Sequence, residues 1–311
     1  MTCQEKYRQF CQSFDVPLYI SPEWLDAVTQ NQEDWDVIFS YTSEGKIQGF
    51  WPFVFKRQLF WTKMTMPAFT PYMGPGLVYP DNLSEYEKRS FENKVLEELI
   101  NQIPSFAAIR FKWTIRYDNW LPFYWKGFRQ QTAYTYLIKD TSEPDVIFKN
   151  FKNSTQRQIR KARQQLSVRN TNDPEGVLSM FKISMRNQPD YKVDETLLKQ
   201  LHLVALRKKQ VEILEAIDAE SRVLGALYLV FDKEEMLYLY GGYDEAFNDS
   251  GAMPLLFWSA LQSAHQKGVR FNFEGSMLPG VERFFRSFGG ELAPVFTIEK
   301  LGFPYKLLNR Y

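Results

Sequence analysis

The chain has 311 residues, 44% of them hydrophobic and 24% charged, with a net charge of +1 at pH 7. That is too long for one ordinary domain and fits two of roughly 150 residues each. Near-balanced charge argues against a polyanion as partner of the whole surface, though not against a local basic patch. Aromatic residues, at 16%, point to aromatic-rich cores or a broad cleft lined with rings. The two cysteines, Cys3 and Cys11, are spaced to share one helical face, with no charged and apolar leader ahead of them. They read as reduced thiols of a cytoplasmic protein, not as a disulfide framework. No apolar run approaches the ~20 residues of a membrane span. The two histidines, His202 and His265, fall on predicted helices, where an ordinary or satisfied histidine is the simplest reading, and no metal is expected.

In chain order, residues 35–41 and 46–55 alternate as strands around the polar turn Thr42-Ser-Glu-Gly45, a β-hairpin. Met66-Pro-Ala-Phe-Thr-Pro-Tyr-Met-Gly-Pro-Gly76 follows, too rich in proline and glycine for regular structure yet aromatic and apolar. Such a segment either packs against another domain or walls a substrate cleft; Tyr72 is its candidate contact. A helix is predicted over 84–102 and a strand over 105–112. Residues 132–139 read as a strand, and 144–166 as a long helix. Its second portion carries Arg157, Arg160, Lys161 and Arg163 on about two turns, either a solvated face or a phosphate clamp. Helices over 174–187 and 194–209 precede a second hairpin, 211–217 and 222–231.

The C-terminal stretch is the most informative. A strand (236–240), a glycine-containing loop (241–251), a helix (252–267) and a strand (269–273) form a βαβ crossover, so its two strands run parallel. Gly241-Gly242 and Gly275-Ser276 follow the two strand ends, where parallel sheets meet ligands. The first hairpin also overlays the second at a constant offset of 176: Lys46-Ile-Gln-Gly-Phe-Trp-Pro-Phe-Val-Phe55 matches Arg222-Val-Leu-Gly-Ala-Leu-Tyr-Leu-Val-Phe231. A helix and a strand follow each, so the chain reads as a duplication, with domains over 1–131 and 132–311.

This order of elements resembles the GNAT acyltransferase fold, and within it the Fem-like proteins, which carry two such domains in tandem. The resemblance rests on Ile20-Ser-Pro-Glu-Trp-Leu-Asp-Ala27, the 49–55 hairpin strand, Met66 to Gly74, Arg157-Gln-Ile-Arg-Lys-Ala162, Phe273-Glu-Gly-Ser-Met277 and Arg283-Phe-Phe-Arg-Ser-Phe-Gly289. It implies an α/β fold, two tandem GNAT-like domains, each a mixed sheet flanked by helices. The family includes peptidyltransferases acting on peptidoglycan precursors and BioF2-like acetyltransferases. The implied donor is acyl-CoA (acetyl-CoA) or aminoacyl-tRNA, and the implied acceptor is a small amine or a cell-envelope precursor.

Two departures qualify the match. Asn248-Asp-Ser-Gly-Ala-Met-Pro254 keeps glycine and small residues but not the full pyrophosphate cradle, and Asp249 is acidic. Phe285 stands where the peptidyltransferases carry a lysine, a departure that weighs against aminoacyl-tRNA.

On this reading Glu274 is the candidate general base, or the group holding the substrate ammonium, unless it merely accepts the amides of Gly275 to Met277. Tyr243 is the candidate general acid, with a packing aromatic as the plainer alternative. Backbone N–H groups around Tyr240, Gly241 and Gly242 await the oxyanion. Ser250, Gly251 and Ala252 either cap the helix or touch phosphate. Arg157, Arg160, Lys161, Arg283 and Arg286 are candidates for an anionic acceptor or tRNA. A catalytically silent binding protein of the same fold is the alternative.

Overall fold

The computed structural model describes residues 1–29, 34–58, 61–186, 193–275 and 277–302. The chain divides into two compact units, Met1–Ala133 with the segment from Pro294 on, and Tyr134–Ala293. Among the described residues no helix is long and apolar enough to cross a membrane.

The first unit opens with α1 (Cys3–Ser13) and α2 (Pro22–Val28), capped by Thr2 and Ser21. The strands β1 (Trp35–Tyr41), β2 (Ile47–Gln58), β3 (Trp61–Thr65) and β4 (Gly76–Leu77) follow. Next come α3 (Glu85–Gln102), β5 (Ala108–Lys112) and the short α4 (Leu121–Trp125). Ser84 starts α3 through a capping box with Glu87. Strands β1, β2 and β3 are antiparallel neighbours, β3 runs parallel to β5, and β4 pairs with β2. The core is aromatic, with Trp51, Phe53, Phe111, Trp113 and Phe123 packed against Val95, Leu96 and Leu99 of α3.

The second unit comprises β6 (Arg129–Ile138), α5 (Pro144–Asn150), α6 (Asn153–Ala162), β7 (Ser167–Thr171), α7 (Glu175–Met185) and α8 (Glu195–Lys208). Then come β8 (Val211–Ile217), β9 (Val223–Phe231), β10 (Glu235–Tyr243), α9 (Ala252–Lys267), β11 (Arg270–Asn272) and α10 (Pro279–Arg286). The last strand, β12 (Glu291–Leu301), runs antiparallel to β5. In the second unit the sheet order is β7-β8-β9-β10-β11-β6, with β10 and β11 parallel as the βαβ reading requires. Helix α7 covers β9 and β10 on one face; α9 lies on the other.

The likeness of the two hairpins extends to backbone detail. In the first hairpin Thr42 N–H donates to the Lys46 carbonyl (2.8 Å) and Gly45 N–H to that of Thr42 (2.9 Å). Asp218, Arg222 and Ser221 repeat both bonds at the same offset, at 3.2 Å and 3.0 Å. Each hairpin shifts register once, at Ser40/Tyr41 and at Ala216/Ile217. Even the left-handed turn residue recurs, as Gly45 (φ 79°) and Ser221 (φ 62°).

Four elements differ from the sequence reading. The predicted helix over 144–166 is two helices, because Phe151 leaves helical geometry to bury its ring against Phe148, Trp258 and Phe288. Beside it Lys152 N–H donates to the Ser287 carbonyl (2.8 Å). Strands β7 and β12 were not anticipated. The helix expected to reach Asn187 ends at Met185 among the described residues, and Asn187 lies outside them.

Gly49 and Gly225 occupy equivalent positions in β2 and β9 but meet different surroundings. A Cβ on Gly49 would lie 2.3 Å from Val95 Cγ1, whereas on Gly225 the nearest atom is 3.3 Å away. Gly49→Ala is therefore expected to cost about 1–3 kcal/mol through overpacking, with Gly225→Ala milder. Paired thermal melts of the two variants check this.

Candidate active site

The site is built where β10 and β11 part. Their parallel pairing covers Glu235↔Arg270, Met236↔Phe271 and Leu237↔Asn272, and β10 then continues to Tyr243 with β9 alone as its neighbour. The β9–β10 register shifts between Tyr238 and Tyr240, so a bulge at Leu239 re-aims the side chains on either side of it. Among the described residues no backbone bond joins β10 to β11 beyond Leu237.

Glu274 stands at the mouth of this opening, two residues past the end of β11. Its backbone is left-handed (φ 59°), as is that of Gly275 (φ 68°). Its amide donates to Asn272 Oδ1 (2.8 Å), and that oxygen also accepts the Thr135 hydroxyl (2.9 Å). On β10, Tyr238 lies next to the last paired residue. Burial, and secondarily the nearby Glu274 charge, push its phenol well up, so it stays protonated. Its ring packs edge-on to Phe257 (5.1 Å) and Phe285 (6.3 Å). The inner wall is aromatic: Phe273, Phe257, Phe285 and Phe288 are all buried.

Tyr240, Gly241 and Gly242 line the stretch of β10 without a β11 partner. The two glycines also answer to packing. A Cβ on Gly241 would strike the Ala226 carbonyl and one on Gly242 the Met180 carbonyl, each at 2.3 Å. The Tyr240 ring stacks on Tyr228 at 4.6 Å. Tyr243 is half-buried at the strand end, its amide donating to Ser184 Oγ (3.1 Å).

At the start of α9, Ser250 Oγ accepts the Ala252 amide (3.2 Å), and Ala252 is buried. Gly251 packs under α6, its Cβ position 3.0 Å from the Gln158 carbonyl. Helix α6 therefore holds Arg157, Arg160 and Lys161 beside the α9 N-terminus. All three are exposed, as is Arg163, and none pairs with a carboxylate among the described residues. Arg160 stacks over Phe148 (5.4 Å) and donates to Gln156 (3.1 Å). On α10, Arg286 is paired with Glu282 (2.9 Å), which also accepts the Tyr136 hydroxyl (2.7 Å). Arg283 is exposed, its guanidinium donating to the Pro279 carbonyl (3.3 Å). Tyr72 lies in the first unit, fully buried, under the Lys112 ammonium (5.1 Å). Ser276, expected among the loop amides near Glu274, lies outside the described residues.

The first unit treats its own strand opening differently. β3 and β5 pair only at Lys63↔Ala108 and Met64↔Ile109. Beyond them the segment 66–76 turns inward. Met73 N–H donates to the Lys112 carbonyl (2.8 Å), and Trp113 Nε1 donates to the Pro75 carbonyl (3.0 Å). Trp24 Nε1 reaches Thr70 (3.1 Å). The proline-rich segment fills the opening of its own unit.

Residues 149–286 match the family model described as an acetyltransferase (GNAT) domain. This stretch is a GNAT acetyltransferase domain. The chain is similar in fold to FemX, at 13% identity over 94% of this chain and 95% of that one, with a TM-score of 0.68. It is also similar to the C-terminal domain of a putative lysylphosphatidylglycerol synthetase from Agrobacterium fabrum (12% identity, 98% and 94% covered, TM-score 0.57). A third such structure is L-PGS from Bacillus licheniformis (11% identity, 98% and 94% covered, TM-score 0.55). No curated protein matches the sequence.

GNAT domains typically take acyl-CoA, whose pyrophosphate needs several free amides at a helix start. The α9 N-terminus of this domain does not fit that group. Ser250 holds one amide, Pro254 offers none, Gly251 is covered by α6, and Asp249 adds a negative charge at the surface. Sequence reasoning missed Tyr238, Asn272 and Thr135. The bulge that orients Tyr238 leaves no mark in the alternation, and a buried asparagine reads as an ordinary polar residue.

Neither histidine belongs to the site. His265 Nδ1 meets the Thr141 carbonyl (2.7 Å). His202 is buried between the Asn172 carbonyl (2.9 Å from Nε2) and the Tyr228 hydroxyl (3.2 Å from Nδ1), a pattern that fixes a neutral ring. Burial holds its pKa below the ordinary value of 6.5, opposed by the bond to Asn172. The unfolded chain therefore takes up this proton first. The contribution is intact above pH 6.5 and is lost as pH falls through the lower folded value. His202→Phe is expected to melt lower at about pH 7.5 yet to lose less on acidification to about pH 5 than wild type does. Thermal melts across that range decide it.

Proposed function

We propose that this acyltransferase moves an aminoacyl group from the ester of a charged tRNA to a primary amine, an acceptor of the cell-envelope-precursor class. The observation that carries the reading is the early parting of β10 and β11, with Glu274 and Tyr238 at its mouth and cations on α6 nearby that pair with no carboxylate among the described residues. Four exposed cations within seven residues suit a phosphodiester chain better than they suit one buried pyrophosphate. The solved structures of like fold include FemX, a putative lysylphosphatidylglycerol synthetase domain and L-PGS, which points the same way.

Chemically, the amine nitrogen forms a bond to the ester carbonyl carbon, and the carbon–oxygen bond to the ribose breaks. Glu274 takes the proton released by the amine. Tyr238, kept protonated, or Tyr243 at the far strand end returns one to the departing hydroxyl. Backbone amides of Tyr240 to Gly242 face the developing oxyanion. Phe285, occupying the lysine place in the aromatic wall, supplies no charge, so that stabilisation falls to the backbone. The open stretch orients the ester, and the ring-lined wall excludes water from it.

Discharge of aminoacyl-tRNA by a primary amine tests the reaction. Glu274→Gln should lower kcat by about 10² to 10⁴ with the fold intact. The double variant Arg157→Gln with Lys161→Gln should weaken tRNA binding and flatten its log–log salt dependence by about 1.4 to 1.8. Stabilisation by coenzyme A without any response to charged tRNA would overturn the donor assignment.

A further inference from the structure

Asn272 is an odd residue to find where it is. It ends β11 with no exposed surface, next to Phe271 and Phe273 in an aromatic core, where an apolar side chain would pack without a polar group to satisfy. Its Oδ1 gathers two donors, the amide of Glu274 (2.8 Å) and the hydroxyl of Thr135 (2.9 Å). Thr135 is also fully buried, on β6.

The residue so held is strained. Glu274 is a non-glycine residue with φ 59°, a left-handed conformation that L-residues seldom adopt. The glycine that follows shares the left-handed turn, and it presses against β6, its Cβ position 2.3 Å from the Tyr134 carbonyl and 2.6 Å from Thr135 Cα. A glycine at 274 would make the same turn without strain. The chain places a carboxylate there instead, and strain kept at such a place is the mark of a function imposed on the fold.

We propose that Asn272 and Thr135 are positioning residues for this acyltransferase: their shared hydrogen bonds lock the Glu274 backbone in its left-handed turn and so aim the carboxylate into the opening between β10 and β11. The inference rests on Glu274 acting as the base. Thr135 fixes the rotamer of Asn272, Asn272 fixes the amide of Glu274, and neither touches substrate.

The test uses Thr135→Val, which keeps the side-chain size and removes the donor, Thr135→Ser, which restores it, and Asn272→Ala, with Glu274→Gln as the reference. With aminoacyl-tRNA and a primary amine, Thr135→Val and Asn272→Ala should lower kcat by about 10²-fold at unchanged KM, and Thr135→Ser should recover most of the loss. A folded Thr135→Val with wild-type kcat beside an inactive Glu274→Gln overturns the positioning role and leaves the base. Wild-type turnover in Glu274→Gln overturns both. Amide hydrogen exchange at Glu274 provides a readout independent of turnover. It should quicken at least about tenfold in Thr135→Val and Asn272→Ala, and unchanged exchange overturns the lock even if no substrate is turned over.

Discussion

The structure depends on one constraint: two parallel strands that hydrogen-bond for three residues and then separate. A parallel sheet normally has both edges of each inner strand satisfied, so a strand running on alone leaves polar backbone in need of a partner. In the second unit that need falls on the stretch of β10 from Tyr238 to Tyr243, and a substrate is what such a stretch can receive. The bulge at Leu239, the crossing turn at Glu274 and the packing of α7 on Gly242 all hold the two strands in their divergent courses.

Around that opening, packing and chemistry are divided by side. The interior wall is built from phenylalanine rings, each pair adding about 0.5–1.5 kcal/mol beyond simple burial, and it fixes α9, α10 and β11 to one another. The polar groups are few and tied to the backbone. Asn272 serves Glu274, Ser184 serves Tyr243, and Ser250 serves Ala252. Charge, by contrast, lies outside on α6, where water screens it and a polyanion can reach it.

How much of this could be read from residues alone follows from the range of the forces involved. Helix α9 was legible to its ends because Gly251 and Gly268 frame it with left-handed caps, a local signal. The two hairpins were legible for the same reason. The break between α5 and α6 was not, since Phe151 leaves the helix to meet Trp258 and Phe288, far along the chain, with the Ser287 carbonyl bonding beside it. Strand β7 is too polar and exposed to alternate visibly. The direction of Tyr238 hangs on a one-residue register shift, and such a shift reverses every face that follows it. The loop from Met66 to Gly76 was recognised as unusual, but the unit it would pack into was not legible in its composition.

That loop has a consequence for the first unit. The first unit has a divergent strand pair as well and closes it with a stopper of its own making, in which Gly74 (φ 136°) brings the backbone within contact of Phe111 and Trp113. One strand opening is thus filled from within its own unit, while β10 and β11 stay apart beyond Leu237 among the described residues. The loop's buried Tyr72 and Met73 thereby serve as packing material of the first unit rather than as a wall open to a ligand.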